Sequence, residues 1–237
     1  MIIWKNKAIV LSKTSYSENS LILKIFTDKN GIQRGLVKGG KNIKKSNIYE
    51  TGNLIAAEWR GKNEDSLGIL KCELIEANSG IFIEDTKKFL SLISLVNLIE
   101  FCFLENEKEE ELFMKSHNLI KEIIKDKETW LKNYVKWELF LLTKIGFGLE
   151  LSKCIVSDSK ENLSFVSPKS GCAVSKLSAK GWENKLLPLP AFLISNVEAS
   201  LLDIKNGLTL TAFFLKKFAK TINKTLPFTR DYFIDNI

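Results

Sequence analysis

Histidine is nearly absent from this chain, and cysteine, proline and methionine are scarce, which excludes several classes of protein. A Ser-His-Asp hydrolase would have to use His117, the single histidine, and no nucleophile-elbow motif accompanies it. The four cysteines do not suggest a disulfide framework, because Cys72 and Cys102 lie inside apolar runs, where a free cysteine behaves as a small hydrophobe. The acidic run 105–111 lacks the ordered spacing of a metal nuclease. We therefore expect no enzymatic activity and no cofactor.

Long apolar runs are missing as well. The most apolar stretch, 89–104, is shorter than a bilayer span and contains Glu100. The first residues form no continuous apolar segment and are not followed by a small-residue cleavage site, so they do not resemble a signal peptide. The sequence therefore predicts a soluble intracellular protein that does not bind a membrane.

The charge is positive overall, +7, but it is unevenly distributed along the chain. The first 80 residues hold 13 Lys or Arg against 8 Asp or Glu, and the last 87 hold 12 against 7. The 70 residues between them hold 10 against 13. Two basic thirds on either side of an acidic one favour a polyanionic partner, although a lysine-rich solvated surface would give the same counts.

The first third of the chain has the pattern of short β-strands. Its segments are rich in β-branched residues, and turn-forming residues separate them, including the Asn-Gly pair that ends the turn 28–31. The predicted strands are 8–14, 19–27, 31–37, 53–60 and 67–77. Five short strands with no helical pattern between them predict a small closed barrel of the OB-fold type over residues 1–80.

The apolar period changes to that of helices after Gly80. Helical spacing is seen in 89–103, 112–124 and 130–142, and again in 195–205 and 209–225, where Pro227 is expected to end the last helix. Residues 150–190 are irregular. The fold class is therefore α+β: a barrel followed by an all-helical domain, 81–237, with a loop-rich insert at about 150–190.

One short motif is compatible with two functions, a nucleotide-binding loop or a loop that binds a nucleic-acid backbone. Gly35, Gly40 and Lys41 fit the spacing G-x-x-x-x-G-K of a phosphate-binding loop. However, the next residue is Asn42, which has no hydroxyl for Mg²⁺, and the polar segment that follows ends at Gly52 instead of forming a helix. The sequence therefore does not predict nucleotide hydrolysis.

The same residues are typical of a loop that binds a nucleic-acid backbone. Its cations have no acidic residue among them before Glu50, and its glycines would let the backbone approach phosphates closely. Aromatic residues nearby are candidate stacking platforms for bases, although core packing is the alternative for each of them, above all for Phe26. The predicted DNA-binding residues are Arg34, Lys38, Lys41, Lys44, Lys45, Tyr16 and Trp59.

A metal site is the remaining question raised by the cysteines. Cys154 and Cys172 each begin a C-x-x-S pattern, in which Ser157 and Ser175 stand where a zinc knuckle has cysteine. Serine is a poor zinc ligand at neutral pH, and two thiols do not complete a tetrahedral site. We therefore predict no metal, and we expect Leu163, Phe165 and Val174 to hold the insert by packing.

Taken in order, several motifs make the chain resemble the RecO family of bacterial DNA repair and recombination mediators. They cover the opening strands, the third strand with its basic loop, the central insert and the ending. The matching residues are 8–11, Tyr16, 18–20, 26–27, Gly31, Gly35, 38–39, 165–171, 186–190 and 226–230. The chain departs from the zinc knuckle of many members at Ser157 and Ser175, as one branch of the family does.

The resemblance implies an N-terminal OB-fold, a helical C-terminal domain and no catalysis. It implies a cytoplasmic, nucleoid-associated protein that binds single- and double-stranded DNA and anneals complementary strands. It further implies that, with RecR, the protein helps load RecA onto DNA coated by single-stranded-DNA-binding protein. The alternative from the residues alone is a non-catalytic OB-fold protein that binds structured RNA.

The last helix offers a candidate site for one of these partners. The tail of single-stranded-DNA-binding protein is acidic and ends in an apolar residue, so its receptor needs positive charge around an apolar pocket. An amphipathic helix with one wet face is the alternative interpretation. The predicted site consists of Lys216, Lys217, Lys220, Lys224 and Phe214, with Phe213 and Phe218 beside them.

Overall fold

The structure is a computed structural model and describes residues 1–63, 66–82, 85–125 and 129–237. The chain divides into two compact units. One comprises Met1–Lys125 with Pro227–Ile237, and the other comprises Asp126–Leu226. Among the described residues, no helix is long and apolar enough to cross a bilayer.

The first unit contains a closed five-stranded barrel. Its strands are β1 (Ile2–Ser15), β2 (Leu21–Thr27), β3 (Gly31–Val37), β4 (Leu54–Gly61) and β5 (Ile69–Glu76). They follow the order β1-β2-β3-β5-β4, and β4 pairs with β1 to close the sheet. All pairings are antiparallel except the short parallel contact between β3 and β5, at Leu36 and Ile69. This is the Greek-key barrel of an OB-fold.

The burial pattern of β1 shows why the barrel needs helices beside it. From Ile2 to Lys7, half-buried and exposed residues alternate, as expected for a strand with one wet face. From Ala8 to Leu11 all four residues are buried. Ala8 and Val10 belong to the barrel core, whereas Ile9 alternates with them and therefore faces outward. The outer face is thus covered at this end of the strand, by the helices described next.

Three helices complete the first unit: α2 (Thr86–Cys102), α3 (Glu110–Lys125) and α6 (Phe228–Asp235). The carboxylate of Asp85 caps α2 by accepting a hydrogen bond from the backbone N–H of Lys88 at 3.1 Å. The apolar residues of α3 recur every three or four positions and form one buried face. The edge of Phe113 on that face meets the ring of Phe26 in β2, 5.8 Å away, and α6 packs against α2.

A short helix and a 3₁₀ turn connect β3 to β4. They are α1 (Ile43–Ser46) and Asn47–Tyr49. Tyr49 is buried and belongs to the barrel core. This connection therefore contributes a side chain to the barrel interior, and its 3₁₀ turn contacts β5.

The second unit is built on two packed helices, α4 (Trp130–Lys144) and α5 (Leu201–Thr221). Gly207 lies where they approach each other, since a Cβ there would stand 2.8 Å from a methyl group of Val135. A small sheet occupies the segment between these helices, with the order β7-β6-β8. Its strands are β6 (Leu163–Val166), β7 (Ala173–Ser175) and β8 (Leu187–Pro188).

The predicted fold class, a barrel followed by helices, is confirmed, and four details differ. The polar segment that was expected to form no helix contains the single-turn helix α1. The two helical patterns at 195–205 and 209–225 form the single helix α5, because Gly207 is needed for packing and does not break the helix. Pro227 does not end that helix. It is the N-cap residue of α6, a helix that the sequence pattern did not predict. The irregular segment contains a three-stranded sheet.

Candidate nucleic-acid interface

The predicted basic loop follows β3 and is solvent-exposed. Lys38, Lys41 and Lys45 are all exposed, and the ion pairs among the described residues include none of them. The side chain of Lys44 lies outside the described part of the chain. Gly39 has a φ of +70° with open space around it, as a tight exposed turn requires. The loop therefore presents three unpaired ammonium groups to solvent.

Arg34 differs from these lysines because it already has a partner. It points outward from β3, and its Nε lies 2.6 Å from a carboxylate oxygen of Glu105. Glu50, the first acid after the basic loop in the sequence, instead accepts a hydrogen bond from Lys13 at 2.6 Å. An arginine already paired with a carboxylate gains less from a phosphate than a free lysine does. We therefore place Arg34 at the border of the interface.

Of the three aromatic residues considered for base stacking, Tyr16 is exposed, whereas Phe26 and Trp59 are buried. Tyr16 is 61% exposed, and its loop adjoins the basic loop, where the N–H of Lys41 donates to the carbonyl of Asn19 at 3.4 Å. Trp59 is 1% exposed, stacks on Trp4 at 5.7 Å and donates its indole N–H to the carbonyl oxygen of Arg34. The prediction of Trp59 as a stacking platform is therefore wrong, because the barrel core needs that ring.

The glycine spacing that imitates a phosphate-binding loop has a steric origin. Gly35 lies within β3, where a Cβ would meet Cγ of Leu70 at 2.5 Å across the barrel interior. A Cβ on Gly40 would meet Leu21 at 2.7 Å. The prediction that these two glycines let the backbone approach phosphates is therefore wrong, since both are covered by side chains.

This steric origin can be tested by a stability measurement. Gly35→Ala is expected to lower the free energy of unfolding by about 1–3 kcal/mol, as overpacking of a core does. Gly80→Ala is the matched control, because the Cβ has nothing within 4 Å there and the backbone φ is ordinary. Denaturant midpoints of both variants give the answer. Equal midpoints for Gly35→Ala and wild type would show that the β3–β5 contact is loose.

The outer face of β2 and β3, which many OB-folds use to bind oligonucleotides, is partly covered in the first unit. Phe26 is fully buried under Phe113. Lys24 forms an ion pair with Glu100 at 2.8 Å. Together with the Arg34 pair, these contacts turn much of that face toward the rest of the unit. This face therefore offers less free surface than the exposed basic loop does.

In the second unit, the predicted tail site lies on α5. All four predicted lysines are exposed. Lys216, Lys217 and Lys220 lie on the helix, and Lys224 lies just beyond its end. Phe214 is only 3% exposed, so the prediction that it contacts a partner is wrong. Phe213, 39% exposed, is the ring that solvent reaches.

The two C-x-x-S segments meet within the insert. Sγ of Cys154 is buried and accepts the N–H of Ser175 at 3.3 Å, whereas Cys172 turns its thiol toward the carbonyl of Ser170. Burial alone would raise the pKa of Cys154, but hydrogen bonds from Ser157, Ser175 and Ser178 outweigh it and lower the pKa to about 5. Within the described ranges, no three His, Cys, Asp or Glu side chains form a metal-binding group. Donor groups from serine thus surround the Cys154 sulfur.

Comparison with known proteins supports an assignment over the whole chain. The family model described as Recombination protein O N terminal matches residues 1–78, and Recombination protein O C terminal matches residues 83–216. The chain is 37% identical to DNA repair protein RecO of Wolbachia sp. subsp. Drosophila simulans (strain wRi), with 91% of each chain covered. It is 34% identical to DNA repair protein RecO of Orientia tsutsugamushi (strain Ikeda), over 99% of this chain and 97% of that protein. It is 32% identical to DNA repair protein RecO of Granulibacter bethesdensis, with 99% and 95% covered. The chain therefore belongs to the recombination protein O family of DNA repair proteins.

Proposed function

We propose that this protein binds single- and double-stranded DNA and anneals complementary strands without hydrolysing a nucleotide. We further propose that, together with RecR, it helps load RecA onto DNA coated by single-stranded-DNA-binding protein. The observation that carries the proposal is the exposed loop with three unpaired lysines, Lys38, Lys41 and Lys45, next to the exposed ring of Tyr16. Ammonium groups for phosphates beside an aromatic face for a base are the usual components of a single-strand site.

Annealing needs little more than charge neutralisation and positioning. Two DNA strands repel each other through their phosphates, and a protein that binds both replaces their counterions with its own cations. This reduces the repulsion and raises the local concentration of each strand near the other. No covalent bond changes, so a nucleotide site is unnecessary, in agreement with the packing roles of Gly35 and Gly40.

The single histidine supports a role without catalysis. Nε2 of His117 lies 3.1 Å from a carboxylate oxygen of Glu76, whose other oxygen lies 3.1 Å from Nζ of Lys121. The group links β5 to α3, and the His117 side chain is only 12% exposed. The His117 hydrogen bond and the Glu76–Lys121 ion pair together hold a helix on the barrel.

Contact with coated DNA requires recognition of the coating protein. We propose that the exposed face of α5 does this, with Lys216 and Lys220 receiving the carboxylates of an acidic tail and Phe213 receiving its apolar end. Lys217 is less free, since its Nζ donates to the carbonyl of Lys169 at 3.3 Å.

The decisive experiment measures annealing of complementary oligonucleotides coated with the cognate single-stranded-DNA-binding protein, in the absence of ATP. The expected result is faster duplex formation, followed by fluorescence energy transfer between labelled strands, than with the coating protein alone. A structured-RNA-binding protein would leave this rate unchanged and would bind an RNA hairpin more tightly than the DNA strands. That pair of results would reject the proposal.

A further inference from the structure

A second surface that carries several lysines lies on the outer face of β1, β4 and β5. The strand register places Lys5, Glu58 and Lys71 in one row across the three strands, since Lys5 pairs with Glu58 and Glu58 with Lys71. In the next row, Lys7 and Ala56 lie side by side. Because Ala56 is small, the sheet is hollowed there into a groove of about 460 Å³ that these side chains line.

Three lysines of the groove form no ion pair, although the Asp28 carboxylate attracts two of them, Lys7 and Lys29, at longer range. The carboxylate of Glu58 has two cationic partners, Nζ of Lys5 at 3.0 Å and the guanidinium of Arg60 at 2.5 Å. No ion pair among the described residues involves the other lining lysines. These are Lys7, Lys29 and Lys71. Three positive groups on one open surface therefore remain available to an anion.

The spacing of these lysines suits a polymer better than a free anion. Asp28 and Glu73 also line the groove, so a single small anion gains little there. Lys71 lies two strands from Lys5 and Lys7, roughly 10 Å across the sheet at the usual strand spacing. A phosphate chain can reach cations on both sides of the hollow, and each contact releases counterions.

The lining also distinguishes nucleic acid from an acidic peptide. An acidic tail that ends in an apolar residue needs an apolar pocket, but Ile75 is the one large apolar side chain among the described lining residues, and the other apolar ones, Ala56, Ala57 and Cys72, are small. None of the described residues that line the groove is aromatic, so a base finds no ring to stack on. Contacts would therefore go to phosphates, and the bases would point away from the protein.

We infer that this groove is a second nucleic-acid site, which holds a strand by its phosphates alone and leaves its bases free to pair. The inference rests on the proposed annealing function and extends it. The basic loop, with Tyr16 beside it, binds one strand, and the groove on the β1–β4–β5 face presents another for pairing. The groove does not require the β2–β3 face, which is partly covered.

Lysine acetylation of the wild-type protein, read by mass spectrometry, tests the two sites separately. Oligo-dT is added in increasing amounts, and the acetylation rates of Lys7, Lys29 and Lys71 are compared with those of Lys38, Lys41 and Lys45. Protection of both sets is expected, with the groove set protected at higher oligo-dT concentration because it lacks a stacking ring. Protection of the loop set alone would overturn the groove inference and leave the proposed function intact.

Two other results of the acetylation experiment are equally informative. Protection of neither set would reject DNA binding, and with it the proposed function. Poly-glutamate that protects the groove lysines where oligo-dT does not would show that the groove binds an acidic protein.

A variant gives the functional readout. Lys7→Gln, Lys29→Gln and Lys71→Gln together should slow annealing of naked strands about tenfold at moderate salt, since three phosphate contacts are lost. Binding of one strand by the loop should change much less. Lys87→Gln, Lys108→Gln and Lys136→Gln form the control, with the same charge change at exposed positions elsewhere. Equal annealing rates for both triple variants would also overturn the inference.

Discussion

Replacing Lys38, Lys41, Lys44 and Lys45 with alanine is expected to weaken single-strand binding about tenfold or more near physiological salt. The same change should flatten the salt dependence of binding. Each phosphate contact with a single strand contributes a slope of about −0.7 in log K against log salt, so loss of three or four contacts reduces the size of the slope by about 2–3. Fluorescence anisotropy of a labelled oligonucleotide, titrated at several salt concentrations, measures both quantities.

The structure gives a physical reason to expect a large effect at these positions. Lys38, Lys41 and Lys45 are exposed and have no carboxylate partner among the described residues, so DNA binding does not have to break an ion pair first. Arg34 is the opposite case. Its contact with Glu105 at 2.6 Å must be exchanged for a phosphate contact, and Arg34→Ala should therefore cost less affinity than any one of the three lysines.

Stability separates a binding effect from a folding effect. Surface substitutions of this kind usually change the free energy of unfolding by no more than about 0.5 kcal/mol, so the melting temperature should remain nearly constant. Lys87→Ala, Lys108→Ala, Lys136→Ala and Lys205→Ala together serve as the control, since they remove four exposed positive charges outside the loop. If the loop variant and this control have the same salt slope, the loop is a solvated surface and the strand binds elsewhere.

The barrel could be predicted from sequence because its information is local. Alternating apolar residues mark each strand, and the pair Asn30-Gly31 marks the turn between β2 and β3. Local sequence signals failed where the role of a residue depends on its packing against a distant element. Gly207 looks like a helix breaker, yet it lies within α5 because Val135 approaches it closely.

The candidate site was predicted less completely, because charge and exposure depend on contacts between distant parts of the chain. The lysine loop was found because its cations lie within eight positions of one another in the sequence, whereas the partner of Arg34 is 71 positions away at Glu105. Trp59 is of a residue type that often stacks on bases. Only the register of β1 with β4 shows that it stacks on Trp4 instead. The groove lysines come from two strands and a turn, so no sequence window contains them.

The exposed face of α5 leads to the second large effect. Lys216, Lys217 and Lys220 follow Phe213 by three, four and seven positions, so all lie on its side of the helix. Phe213 is therefore an exposed ring with positive charge along the helix beyond it. An acidic peptide with an apolar end can place its carboxylates on Lys216 and Lys220 and its last side chain on the ring.

Charge reversal on this face, Lys216→Glu with Lys220→Glu, is expected to weaken binding of the acidic tail peptide more than neutralisation to glutamine does. An exposed ion pair contributes about 0.2–1 kcal/mol, so neutralising both lysines should raise the dissociation constant up to about thirtyfold. Reversal adds repulsion to the lost attraction and should raise it further. Titration of a labelled tail peptide against the three proteins gives the comparison.

The control for this experiment is Lys176→Glu with Lys180→Glu, which makes the same charge change on two exposed lysines four positions apart in the same unit. Phe213→Ala should also weaken the peptide, because the apolar end loses its contact, while naked-strand annealing should change little in either α5 variant. If reversal at 176 and 180 weakens the peptide as much as reversal at 216 and 220, only net charge matters. Such a result, or an unchanged dissociation constant with Phe213→Ala, would move the tail site away from α5 and leave its lysines as a solvated face.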